Sequence, residues 1–155
     1  MTNNDFDIIR EKRLLSYEYI RGLVDGEGSF TFSTNKKLGI KVPSFILRMH
    51  FRDIDLIRSV RDTLGINNRI YEYHYPQKDG YNRGPQAMLI VREFGRLKNV
   101  IVPFFYKRLK GHKGIQFEEW LEKIGTDPEV PESYRLIYRM HKTGFYDRNP
   151  KFLDQ

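Results

Sequence analysis

The stretch that decides the reading is Tyr19-Ile20-Arg21-Gly22-Leu23-Val24-Asp25-Gly26-Glu27-Gly28-Ser29-Phe30. Ile20, Leu23 and Val24 recur at helical spacing and form one apolar stripe, while Ser16 and Glu18 just ahead supply an N-cap and an acidic first turn. The spacing predicts a helix from Tyr17 to Gly26. Glycine inside a helix costs roughly 1 kcal/mol relative to alanine, yet Gly22 and Gly26 stand four apart on one side of this short helix. Small residues in that spacing let another backbone come close. Arg21, Asp25 and the shortness of the apolar run exclude a membrane span, which leaves a second helix packed face to face. Gly28 is expected to stop the helix in the left-handed conformation, and Phe30 to Ser33 alternates with period two, as a strand does. Glu27 is thereby fixed at a helix-to-strand junction. The C-terminal end of a helix carries partial negative charge that repels a carboxylate, so a cation is expected beside Glu27, and a bound divalent metal would supply it.

The rest of the 155 residues bounds what such a site can serve. Lys and Arg number 27 against 20 Asp and Glu, a net charge of +7, which favours a polyanionic partner. There are no cysteines, which removes disulfides, thiol nucleophiles and Cys-type zinc sites. No apolar run reads as a signal peptide or a membrane span, so a soluble intracellular protein is expected, in cytoplasm, nucleoid or organelle, with no membrane partner. The length predicts one domain over 1–155.

In chain order, 1–15 reads as an amphipathic lead-in helix whose Phe6, Ile8, Ile9 and Leu14 cover the core. Thr34 to Gly39 reads as a hairpin loop with Lys36 and Lys37 at its tip. Val42 to His50 reads as a strand with Phe45, Leu47 and Met49 on one face and Ser44, Ile46, Arg48 and His50 on the other. Asp53 caps an amphipathic helix lined by Ile54, Ile57, Val60 and Leu64 and stopped by Gly65. Two strands follow, Arg69 to Tyr75 and Gln86 to Arg92, joined by a long polar loop carrying Lys78, Tyr81, Asn82 and Arg83. Arg69, Tyr71, Tyr73 and Tyr75 share one strand face, which suits phosphates and base edges as well as an ordinary solvated sheet. Helices are predicted over 93–105, 113–124 and 131–141, and 125–155 is a helical extension ending in an aromatic, charged tail. The result is an α+β chain with an αββαββα core order.

Ile20 to Gly28, followed by Ser29 and Phe30, resembles the nine-residue motif of the LAGLIDADG homing endonucleases. The one departure is Arg21, where the family carries a small residue. Pro103 to Lys113, continuing through Phe117 and Trp120, is similar to a second family region that places a functional lysine after a leucine and a glycine. The resemblance implies that Glu27 and the Gly26 carbonyl hold the metal and that Asp25 is a structural residue near the helix end. Lys113 is the implied active-site lysine, with Lys110 the alternative if the register slips. His50 stands near the family's water-positioning residue, where it orders water or accepts a proton, or is simply a strand-end histidine bonded to backbone. His74, His112 and His141 have no metal-ligand spacing and receive no role.

One motif and no internal repeat imply that the second helix comes from another copy of the chain, a C2 homodimer with Ile20, Gly22, Leu23 and Gly26 at the interface. The resemblance then implies a magnesium-dependent nuclease, with manganese as substitute and no small-molecule cofactor. It would cut double-stranded DNA at a long near-palindrome, leaving short 3′ overhangs, as in intron homing. By the same resemblance the four strands would form a curved antiparallel sheet that contacts DNA through Ser29, Thr31, Ser33, Lys36, Lys37, Lys41, Arg48, Arg69, Tyr71, Tyr73, Lys78 and Arg83. Two other readings fit the same residues: an RNA maturase, or a DNA-binding relative without catalysis. A basic α/β domain that binds RNA or another protein, its glycines serving packing alone, is the plainest reading.

Overall fold

Ser16 opens the first helix as its spacing implies: its Oγ accepts the Tyr19 N–H at 3.1 Å in the computed structural model, which describes residues 13–74 and 84–153. That helix, α1 (Tyr17–Glu27), buries Ile20 and Val24 completely and runs directly into strand β1 (Gly28–Asn35). Gly28 does not end α1 by left-handed geometry, since its φ is −81° and ψ 165°. Glycine is needed there for space: a Cβ would lie 2.6 Å from Val24 Cγ1 and 3.1 Å from the Val24 carbonyl. The strand therefore leaves the helix by grazing its last turn.

β1 pairs with β2 (Ile40–His50), and a short 3₁₀ turn leads into α2 (Ile54–Leu64). Asp53 sits at the N-cap of α2 but makes no side-chain cap bond, because its carboxylate turns toward Arg52 at 3.9 Å. Gly65 ends α2 as expected, with φ 73°. Then come β3 (Ile70–Tyr73) and β4 (Gln86–Val91). The segment expected as one helix over 93–105 has three parts: α3 (Phe94–Arg96), a π turn (Leu97–Ile101) and α4 (Val102–Phe105). Pro103 offers no N–H to the carbonyl one turn back and its ring crowds that carbonyl, so the turn ahead of it widens. Helix α5 (His112–Thr126) follows, then α6 (Arg135–Lys142) and the single turn α7 (Phe145–Arg148).

The sheet is antiparallel with strand order β1-β2-β4-β3. Phe30 faces Phe45, Phe45 faces Val91, Leu47 faces Leu89 and Ile70 faces Leu89, so one side of the sheet is apolar and buried. The helices cover that side. Phe105, Phe117 and Trp120 close on Phe30 with ring centroids 5.7, 4.9 and 5.3 Å away. The Trp120 indole N–H donates to the Thr31 carbonyl at 2.7 Å, which locks α5 to β1. The αββαββα order is thus present, with α6 and α7 added behind α5.

The ends of the chain differ from expectation in detail. Phe6, Ile8 and Ile9 lie outside the described residues, and of the lead-in's last two leucines it is Leu15 that packs on the core, while Leu14 is 69% exposed. The tail packs: Tyr146 is buried, and Phe152 sets its ring edge-on to Phe104 and Tyr17. Among the described residues no helix is long and apolar enough to cross a membrane.

Candidate active site and nucleic-acid face

Two carboxylates two residues apart on α1 meet opposite fates. Asp25 turns to the loop before α5, where Oδ2 accepts the Lys110 N–H at 3.0 Å and Oδ1 accepts the N–H groups of Lys110 and Gly111 at 3.1 Å each. Gly111 is the N-cap of α5 and has no side chain of its own, so Asp25 caps α5 from another helix. This is the structural role expected of Asp25. Glu27, the last residue of α1, is exposed, and no described residue bonds or pairs with its carboxylate. The last turn of α1 contains no basic residue. A negative side chain therefore sits on the negative end of a helix with no protein cation to offset it.

Gly26 is exposed beside Glu27, and its carbonyl lies in the last turn of α1, past the Val24 carbonyl that takes the closing Gly28 N–H. Lys113 lies in the first turn of α5, two residues past the amide that Asp25 holds, and is half-buried. Lys110 is exposed, with its backbone rather than its side chain fixed. Asp25 thus ties the helix that ends in Glu27 to the helix that carries Lys113 in its first turn.

His50 closes β2 on the open side of the sheet, three residues past the partner of Gly28. Its Nδ1 accepts the Arg52 N–H at 3.1 Å, so in the neutral ring the proton sits on Nε2. The ring donor is then Nε2–H, while Nδ1 is engaged with backbone. His141, one of the histidines without a role, bonds through Nδ1 to the Tyr106 hydroxyl at 2.7 Å. Burial, with Asp147 and Glu118 nearby, pushes the Tyr106 phenol up to about 12, so the hydroxyl keeps its proton through neutral pH and the contact is structural.

The open face of the sheet follows from the register. Ser29, Ile46 and Ile90 form one cross-strand row; Arg48, Met88 and Tyr71 form the next; His50, Gln86 and Tyr73 form the row at the end. Thr31 and Ser33 continue this face on β1, where the Ser33 and Ser44 hydroxyls bond at 2.7 Å. The Arg48 guanidinium lies 5.8 Å from the Tyr73 ring and that of Arg69 lies 5.5 Å from Tyr71. Both cations are exposed and preoriented over aromatic faces. Lys36 and Lys37 are exposed in the β1–β2 turn. Lys78 and Arg83 lie outside the described residues.

Lys41 does not belong to this face. It pairs with Thr34, which puts it on the helix-covered side with Phe32 and Phe30, and its Nζ is 3.0 Å from Asp127 and 3.5 Å from Glu129. The reason is parity, since Lys41 and Phe45 are four apart on one strand. Sequence reasoning also passed over Gln86, Met88 and Ile90, although Ala87, Leu89 and Val91 alternate with them as buried residues.

The surface left for a partner differs from expectation as well. Ile20 is fully buried in the core, so it is unavailable. Gly22 and Gly26 are exposed, a Cβ on either would meet nothing within 4 Å, and Tyr19 and Leu23 flank them. Arg21 faces away from this surface: 5% exposed, it donates to the carbonyls of Phe104 and Phe152.

A protein-family model described as LAGLIDADG endonuclease matches residues 20–124. The crystal structure of a homing endonuclease, I-TnaI, is similar with TM-score 0.58 and 25% identity, over 86% of this chain and 79% of that one. The LAGLIDADG homing endonuclease I-GzeII in complex with its DNA target gives 0.57 at 20% identity, over 92% of this chain and 52% of its own. The group I intron-encoded homing endonuclease I-CeuI complexed with DNA gives 0.56 at 17% identity, over 76% and 65%. At those identities the last two support the fold alone, and this chain spans about half the length of I-GzeII.

Proposed function

This chain belongs to the LAGLIDADG endonuclease family, and on that premise we propose that it is a site-specific homing endonuclease acting as a C2 homodimer on duplex DNA. The observation that carries the reading is Glu27: an exposed, unneutralised carboxylate at the negative end of α1, beside the open Gly22 and Gly26 face. Two copies of α1 packed through those glycines bring two copies of Glu27 together near the two-fold axis, one for each strand of a long, near-palindromic target.

The donor set fits a shared divalent metal. Among the described residues no group of three or more His, Asp or Glu is arranged to hold an ion within one copy. What one copy offers is the Glu27 carboxylate and the Gly26 carbonyl, both hard oxygen donors. Magnesium is bound through one or two carboxylates with waters and substrate phosphates completing its shell, and manganese accepts the same ligands. When bound, it lowers the pKa of a coordinated water and stabilises the leaving oxygen. The chain's own residues do the rest. Lys113 sets a positive charge beside the scissile phosphate, where negative charge grows in the transition state. Through Nε2–H, His50 orients water. The open sheet face lies in the major groove of one half-site, with Arg48, Arg69, Tyr71 and Tyr73 toward the bases and Lys36 and Lys37 toward the backbone. A double-strand cut with short 3′ overhangs follows from two such sites acting across the minor groove.

Cleavage of duplex DNA carrying the uninterrupted locus, with magnesium, tests this by comparing wild type with Glu27→Gln. Cutting is expected to vanish in the variant while most affinity stays, because affinity comes from many Lys and Arg contacts to phosphate. A variant that cuts at the wild-type rate would sink the assignment of Glu27. Tight binding with no cut by wild type would favour a maturase or a DNA-binding protein instead.

A further inference from the structure

Two kinds of contact alternate along α1. Ile20 and Val24 bury apolar surface, a non-directional contribution. Directional bonds occur at Arg21 and Asp25, one turn apart on the same side of the helix. Arg21 Nε donates to the Phe104 carbonyl at 3.0 Å and Nη2 to the Phe152 carbonyl at 2.8 Å, and its guanidinium lies 4.5 Å from the Phe104 ring. Asp25 takes the amides of Lys110 and Gly111. Both residues therefore bolt α1 to the one segment, 104–111, that delivers Lys113. Phe152 adds the chain's C-terminal segment to the joint, its ring 5.3 Å from Phe104 and 6.0 Å from Tyr17.

We infer that Arg21, clasped by the C-terminal Phe152 strap, is a positioning residue that fixes the axial and rotational setting of α1, and with it the distance from Glu27 to Lys113. This rests on the nuclease reading above. A small residue in place of Arg21 leaves both carbonyls without these donors, so that of the side-chain hydrogen bonds from α1 to that segment described above only those of Asp25 remain, beside the Tyr17–Phe104 ring contact. A misplacement of about 1 Å in a catalytic group is enough to cost about 10²-fold in rate. DNA affinity is set on the open sheet face, away from this joint.

Single-turnover cleavage at saturating duplex and magnesium, with duplex affinity measured separately, tests it in three variants. Arg21→Met and truncation after Pro150 are each expected to slow cleavage by about 10-fold to 10²-fold with Kd changed less than about 3-fold. The two combined should be no slower than Arg21→Met alone, since both remove the same joint. Truncation after Leu153 should cut at the wild-type rate. Wild-type cleavage by folded Arg21→Met would overturn the inference, as would equal losses in rate and affinity. Should Arg21→Met lack a thermal transition, the Pro150 truncation decides, and its cutting at the wild-type rate overturns the proposal. Loss of folding in both would overturn positioning in favour of a purely structural role. A wild type that never cuts sinks the nuclease reading itself.

Discussion

The two faces of the sheet are made of neighbouring residues and do different work. On the covered face Phe30, Phe45, Leu47, Leu89 and Val91 are buried beneath helices, and each is constrained by volume and ring geometry. On the open face Ser29, Ile46, Arg48, Met88, Gln86 and Tyr71 alternate with them one residue away and meet solvent in varying degree. A single backbone therefore holds two independent sets of constraints, one for the buried core and one for the surface that stays open. A residue's parity along the strand decides which set it obeys.

The comparison breaks first at Phe45. Phe45→Ala should cost about 3–5 kcal/mol of folding stability, measured by denaturant unfolding. Its neighbour Ile46→Ala should cost about 1 kcal/mol, because Ile46 is only partly covered. Equal losses at the two positions would mean that the open face carries the core as well.

Arg48→Ala sharpens the other side. Stability should change by less than about 0.5 kcal/mol, while binding to the cognate duplex weakens by about 1–3 kcal/mol. Competition binding against altered duplexes would check whether preference relaxes locally or affinity falls uniformly.

Lys41→Met gives the smallest effect and the sharpest distinction, because Lys41 is a cation on the covered face. Removing it should leave the salt dependence of DNA binding unchanged, whereas a phosphate-contacting lysine changes the slope by about 1. Its effect belongs to folding and depends on pH. Hydrogen bonding to Asp127, together with that carboxylate's charge, raises the Lys41 pKa above 10.5, so its contribution is full below that value and is lost as pH rises through the folded pKa. The Glu129 N–H and Lys41 hold Asp127 below 3.8, so its contribution is full above that value and is lost as pH falls through the folded pKa. The melting-temperature difference between wild type and Lys41→Met should therefore be flat through neutral pH and shrink toward both extremes.

Elements with a strong period were legible in the sequence. The 3.6-residue stripe of Ile54, Ile57, Val60 and Leu64, the alternation around Phe45 and the cap at Ser16 each depend on residues close in the chain. The same locality explains the misses. Gly28 needs its missing Cβ for a contact with Val24 across the helix-strand junction rather than for a left-handed φ. Asp53 has the right residue type for a cap, but Arg52 competes for its carboxylate. Ile20 shares the apolar stripe with Leu23, yet Ile20 is fully buried and Leu23 only partly, a difference that tertiary packing decides and the helical period does not. Nothing near Arg21 or Asp25 in sequence announces partners at Phe104, Lys110 and Phe152, 83 to 131 residues away. The candidate site was legible as residue types, and the joint that holds it together was not.

That joint has a consequence for how the protein can vary. Asp25 grips peptide N–H groups, which every residue except proline carries. At Gly111 the backbone is extended at φ −93°, and a Cβ would sit an ordinary 3.7 Å from Asp25 Oδ1, so the grip does not depend on glycine. The two residues whose amides Asp25 holds can therefore be respelled without loosening the pin between the two helices, with proline the one forbidden letter.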